Sequence, residues 1–128
     1  MVLDTSALLA ILFDEPERRS FNEKIEADPV RLMSAATYVE AALVIESRFG
    51  EAGGREFDLF FHRTGTRIVP VDPDQAEIAR TALRKFGRGK HPAGLNYGDA
   101  FAYALALTTG EPLLFKGSDF SLTDVAIA

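Results

Sequence analysis

Val2-Leu3-Asp4-Thr5-Ser6-Ala7-Leu8-Leu9-Ala10-Ile11-Leu12 opens the chain with a short apolar run, a carboxylate, two hydroxyl residues and a longer apolar run. The pattern predicts a buried strand running straight into a helix over Ala7 to Phe13, with Asp4 exposed at the strand's carboxyl end. In an open parallel α/β sheet that edge is where ligands bind, because loops leave there and helix N-termini point there. Asp4 is therefore a candidate metal ligand. Its weight depends on which other acids return to the same edge.

Outward from this segment, helical and strand patterns alternate without repeats or a long linker, the signature of βαβ units and a parallel sheet. Asp14-Glu15-Pro16 stops the first helix, since proline disfavours helix in the residue before it. A second helix is expected over Glu17 to Ala27, a strand over Val30 to Met33, and a long helix from Ala35 to about Phe49 capped by Ser34. Gly50, Gly53 and Gly54 mark its end. The next helix carries Phe57, Phe60 and Phe61 on one face, a spacing that reads as core. Arg67 to Val71 forms a third strand, and Asp72-Pro73-Asp74-Gln75 opens another helix as N-cap, proline at the first position and Gln three residues on. Phe86 to Gly94 is a loop, Asn96 caps a helix reaching Thr109, Pro112 to Phe115 is a fourth strand and Val125 to Ile127 a fifth.

Three further acids fall where that edge should be. Glu40 lies one to two turns into the helix after the second strand, among apolar Ala36, Val39, Leu43 and Val44, so it projects from near the buried stripe. Asp99 is the third helical residue after Asn96, where a carboxylate also serves as a cap. Gly98 beside it costs helix propensity and leaves room for a bound ion or a close backbone. Asp119 sits in the loop after the fourth strand, a position that a turn aspartate also explains. Asp124 precedes the last strand and ranks below it. Gathered at one edge, such carboxylates repel, and a hard cation such as Mg²⁺ or Mn²⁺ relieves this through oxygen ligation. Zinc is disfavoured, because His62 and His91 lie in segments that do not obviously meet the acids. An all-oxygen Mg²⁺ site suits phosphoryl chemistry, that of a nuclease or phosphatase.

Composition sets the outer limits. A chain of 128 residues, 47% of them hydrophobic, fits one domain over 1–128. It has no cysteine, which excludes disulfides, zinc-thiolate sites and thiol catalysis and fits a reducing compartment; the cytoplasm is the expectation. Neither a signal-type segment nor an apolar run of about 18 residues is present, so no membrane association is expected. A net charge of −5 opposes generic nucleic-acid affinity, yet Ile78 to Gly98 contains no acid while holding Arg80, Arg84, Lys85, Arg88 and Lys90. That stretch is a candidate phosphate-binding surface beside the acids; the alternative is a solvated helix face and loop.

The chain resembles the PIN-domain ribonucleases of the VapC toxin family over nearly its whole length. The resemblance rests on Val2-Leu3-Asp4-Thr5-Ser6-Ala7-Leu8, on Glu15-Pro16-Glu17, on Glu40, and on Asn96-Tyr97-Gly98-Asp99-Ala100-Phe101-Ala102-Tyr103-Ala104. Leu113-Leu114-Phe115-Lys116-Gly117-Ser118-Asp119-Phe120 with Thr123-Asp124 completes it. It implies an α/β three-layer sandwich with a parallel sheet of order 3-2-1-4-5 and a Mg²⁺- or Mn²⁺-dependent endoribonuclease. It also implies a toxin that forms a homodimer and receives a cognate antitoxin in a groove between N-terminal helices. By matching positions, Asp4 and Asp99 would be the principal metal ligands, Glu40 and Asp119 would complete the pocket, and Thr5 or Ser6 would orient a water. In-line attack of water on an RNA phosphodiester would then leave a 5′-phosphate and a 3′-hydroxyl. Two other classes are weighed against this reading. A haloacid-dehalogenase-type phosphatase needs an acid at the position of Ser6. A receiver-like module needs an acid pair beside the first strand and a phosphoacceptor aspartate where Asp72 reads as a helix cap. A catalytically silent PIN-like or receiver-like binding module is the alternative function.

Overall fold

The structure is a computed structural model describing residues 1–128. Four short parallel strands, β1 (Val2–Leu3), β2 (Leu32–Ser34), β3 (Arg67–Val69) and β4 (Leu113–Leu114), form a sheet of order β3-β2-β1-β4. Around it stand α1 (Thr5–Leu12), α2 (Arg18–Ala27), α3 (Ala35–Thr64), α4 (Pro73–Phe86) and α5 (Tyr97–Thr109), with a 3₁₀ turn over Phe120–Leu122. The expected fifth strand is reduced to one parallel bridge between Leu113 and Ile127, so the order 3-2-1-4-5 is corrected to four strands with a single flanking bridge.

Alternation along the central strands builds the layers, because successive side chains leave opposite faces of a sheet. Leu3, Met33 and Leu114 enter one apolar cluster with Ala7, Leu8, Ile25, Ile45, Phe57 and Phe60 from α1, α2 and α3. Val2, Leu32 and Leu113 enter the other with Ala82, Phe86, Tyr103 and Leu105 from α4 and α5. The Phe57-Phe60-Phe61 stripe is therefore core-facing, with Phe57 and Phe61 packed about Tyr38 at 4.9 Å and 5.2 Å between ring centres.

Several boundaries differ from expectation for local reasons. The second strand starts at Leu32 rather than Val30, because the Asp28 carboxylate accepts from the Val30 N–H at 2.8 Å and turns the chain there. The third stops at Val69, ahead of Pro70, which has no N–H for the ladder. Gly50 breaks α3 with φ 60° and ψ −146°, so two helical arms meet without a linker. Gly53 and Gly54 do not end a helix. Gly53 instead lets the second arm close on the first, since a Cβ there would stand 2.9 Å from Ile45 Cγ2.

Candidate active site

The carboxyl edge of β1, β2 and β4 gathers the sequence candidates. Asp4 follows β1 directly and caps α1: Ser6 donates to its Oδ2 from the backbone N–H at 3.0 Å and from its hydroxyl at 2.6 Å. Asp4 is buried, 3% exposed, which corrects the expectation of an exposed acid. The edge is roofed by the loop after β4, whose Lys116 N–H donates to Ser6 Oγ at 2.9 Å. That loop is pinned in turn by an ion pair between Lys116 Nζ and Glu15 and by Glu17 at 3.3 Å. Glu15-Pro16-Glu17 thus acts as an anchor for the far end of the chain. This role was not read from the sequence, because the partners are 101 residues apart.

Ser34 ends β2 and caps α3 by accepting from Ala36 N–H at 3.3 Å, which aims the first turns of α3 across the edge. Glu40 there is half-buried and accepts from Thr5 Oγ1 at 2.5 Å through Oε1. Its Oε2 lies against Gly98: a Cβ on that glycine would stand 1.9 Å away. The space that Gly98 leaves is filled by the Glu40 carboxylate. Asn96 and Asp99 form a reciprocal capping box, each accepting the other's backbone N–H at 2.9 Å, so Asp99 has the structural role as well as its place at the edge. Asp119 is exposed at the start of the 3₁₀ turn, and its side chain caps nothing.

Electrostatics tie these acids together. Burial pushes the Asp4 carboxyl up to about 6, opposed by the two Ser6 hydrogen bonds and reinforced by the charges of Asp99 and Glu40. Burial likewise raises Asp99, opposed by the Asn96 N–H, reinforced by Asp119 and Glu40 and relieved by Arg88. The acids feel one another, yet no three carboxylate or histidine side chains stand at the spacing needed to hold a metal ion.

The donor chemistry nevertheless suits a hard cation. Asp4 and Asp99 take their hydrogen bonds on Oδ2 and Glu40 takes its own on Oε1, leaving one oxygen of each without a protein donor. Oxygen-only ligands of this kind match Mg²⁺ or Mn²⁺. Both histidines lie elsewhere: His62 is in the last turn of α3, and His91 packs edge-on to Phe86. Asp124 is also outside the site, accepting from Tyr103 Oη at 2.6 Å on the α4–α5 side.

Of the basic stretch, Arg88 comes within the field of Asp99, while Arg80, Arg84 and Lys90 line a cleft between α4 and α5. The loop carrying Arg88 and Lys90 is held by the Arg88 N–H to Leu95 O bond at 3.0 Å and the Leu95 N–H to Phe86 O bond at 2.9 Å.

A family model described as PIN domain matches residues 1–126. A ribonuclease VapC of Mycolicibacterium smegmatis is 61% identical over 126 residues, covering 98% of each chain. Among solved structures, Mycobacterium tuberculosis VapC20, described as a sarcin-ricin loop cleaving toxin, superposes with a TM-score of 0.79 at 18% identity, over 99% of this chain and 97% of that one. A toxin-antitoxin complex from Klebsiella pneumoniae gives 0.71 at 22% identity, over 99% and 95%.

Proposed function

This chain belongs to the PIN-domain family and, within it, to the VapC ribonucleases, and from that premise we propose that it is a Mg²⁺- or Mn²⁺-dependent endoribonuclease, the toxin of a toxin-antitoxin pair. The observation that carries the reading is the buried carboxylate Asp4 at the strand edge, facing the charges of Asp99 and Glu40 with one oxygen undonated.

Asp4, Asp99 and Glu40 would hold the cation, with Asp119 completing the pocket. Bound there, it supplies water activation and charge neutralisation for phosphodiester hydrolysis to 5′-phosphate and 3′-hydroxyl ends. The chain's own residues do the rest. Ser6 fixes the Asp4 rotamer, Thr5 holds Glu40 across the edge, and the Asn96 backbone N–H orients the Asp99 carboxylate. Arg80, Arg84, Arg88 and Lys90 offset the repulsion that an RNA backbone meets at an acidic pocket. Asp4→Asn and Asp99→Asn are each expected to abolish RNA cleavage while circular dichroism stays native; wild-type cleavage by either variant overturns the assignment.

The partners follow from the same reading. An apolar groove of about 230 Å³ between α1 and the elbow of α3, lined by Leu12, Phe13, Ile45 and Phe49, is the seat for an antitoxin segment. Val39 and Leu43, one turn apart on α3 and 63% and 65% exposed, support a homodimer contact. No helix is long and apolar enough to cross a membrane, and with no cysteine in the chain the cytoplasm is the compartment that fits.

A further inference from the structure

The cleft between α4 and α5 has a volume of about 430 Å³ and is lined by three cations, Arg80, Arg84 and Lys90, and by no carboxylate. That is a local excess of positive charge on a chain of net charge −5. Arg80 is shared with Glu77 at 3.7 Å, and Arg84 has only a 3.3 Å contact to the Thr81 hydroxyl, so both remain available to an anion. At the cleft's mouth stands Tyr97, the first residue of α5, with 75% of its surface exposed. Phe101 one turn on meets it edge-to-face at 4.9 Å between ring centres, and the Tyr97 ring is held without being covered. An exposed aromatic ring, braced edge-on by Phe101 among exposed cations of which only Arg80 has a carboxylate partner, matches the two demands of a single-stranded nucleic acid, a stacking platform and a charged track for the backbone.

The cleft borders the acidic edge. Lys90 lines it while Arg88, two residues earlier on the same pinned loop, acts on Asp99. Gly98, which follows Tyr97, lies against Glu40. We propose that this cleft is a nucleotide subsite that takes an unpaired RNA residue flanking the scissile phosphate, its base stacked on Tyr97 and its backbone held by Arg80, Arg84 and Lys90. The proposal rests on the reading of the chain as a ribonuclease and adds to it the residues that seat the flanking base and backbone; a base locked in an A-form duplex cannot reach the ring. A second copy of the chain is the poorer occupant, since a two-fold contact through the cleft brings its cations against themselves.

The test is fluorescence anisotropy of the full-length protein in chelator, so that binding is read apart from cleavage. The probes are a labelled twelve-residue oligouridylate, the same strand with abasic positions, and its duplex with oligoadenylate. Tyr97→Ala is expected to weaken binding of the intact single strand about tenfold and to leave the abasic strand and the duplex unchanged, with Tyr97→Phe within about twofold of wild type. Arg80→Ala/Arg84→Ala is expected to weaken all three and to lower the salt dependence. Equal binding of the intact strand by wild type and Tyr97→Ala overturns the subsite, as does a loss common to all three probes. A shift from dimer to monomer in sedimentation with RNA affinity unchanged also overturns it and assigns the face to a second copy. The two readings fail separately: Tyr97-dependent binding by a protein that cuts no RNA with Mg²⁺ or Mn²⁺ removes the nuclease, whereas metal-dependent cutting untouched by Tyr97→Ala removes only the subsite.

Discussion

Asp4 carries the largest consequence of any single residue. Its pKa near 6 in the fold lies above the ordinary 3.8, so between these values the folded chain binds more protons than the unfolded one. Stability from this group is present at low pH and is lost as pH rises through that window. The gap of about two units corresponds to roughly 3 kcal/mol. Asp4→Asn removes the buried charge, and in urea titrations without metal its stability advantage over wild type is expected to grow from about pH 4 to about pH 6 and then stay constant. A difference independent of pH contradicts the account. Gly98 makes the complementary case. Alanine is the better helix former by about 1 kcal/mol, but its Cβ would stand 1.9 Å from Glu40 Oε2. Gly98→Ala is expected to keep the melting temperature while lowering RNA cleavage about a hundredfold through a displaced carboxylate; wild-type activity would show that Glu40 has no positional role. The sequence exposed the unusual glycine beside Asp99 but not its neighbour, because Glu40 reaches it from a helix 58 positions earlier.

At the scale of elements, local chemistry explains what could be read in advance. Asp72-Pro73 with Gln75, and Asn96 with Asp99, announce α4 and α5 because their caps lie within three residues. The strands were found but their ends shifted, since Val30 is turned by the Asp28 side chain and the ladder stops before Pro70. The α3 elbow was half legible. Gly50 marked a break, but only the structure shows that it replaces a linker with one left-handed residue. A side chain at φ 60° and ψ −146° costs on the order of 1–3 kcal/mol. Gly50→Ala is accordingly expected to lower the urea midpoint with no change in slope; an unchanged midpoint would mean that the elbow bears no strain.

Across the whole molecule, period-two alternation in β1, β2 and β4 divides the core between two helical layers and leaves the strand ends free for acids. That is why an edge position could be assigned to Asp4, Glu40, Asp99 and Asp119 from the order of elements alone. What order could not supply is the support around them. The Lys116 anchor on Glu15 and Glu17 and the cationic cleft between α4 and α5 join residues distant in the chain. Whether this edge cuts RNA with a bound divalent cation is read by incubating the protein with total RNA in Mg²⁺, in Mn²⁺ and in chelator, and mapping new 5′ ends beside an Asp99→Asn control. Discrete 5′-phosphate ends are expected with either metal and none in chelator or with the variant. Ends that persist in chelator, or that the variant also makes, would contradict metal-dependent cutting at this edge, as would a folded protein that makes none with either metal.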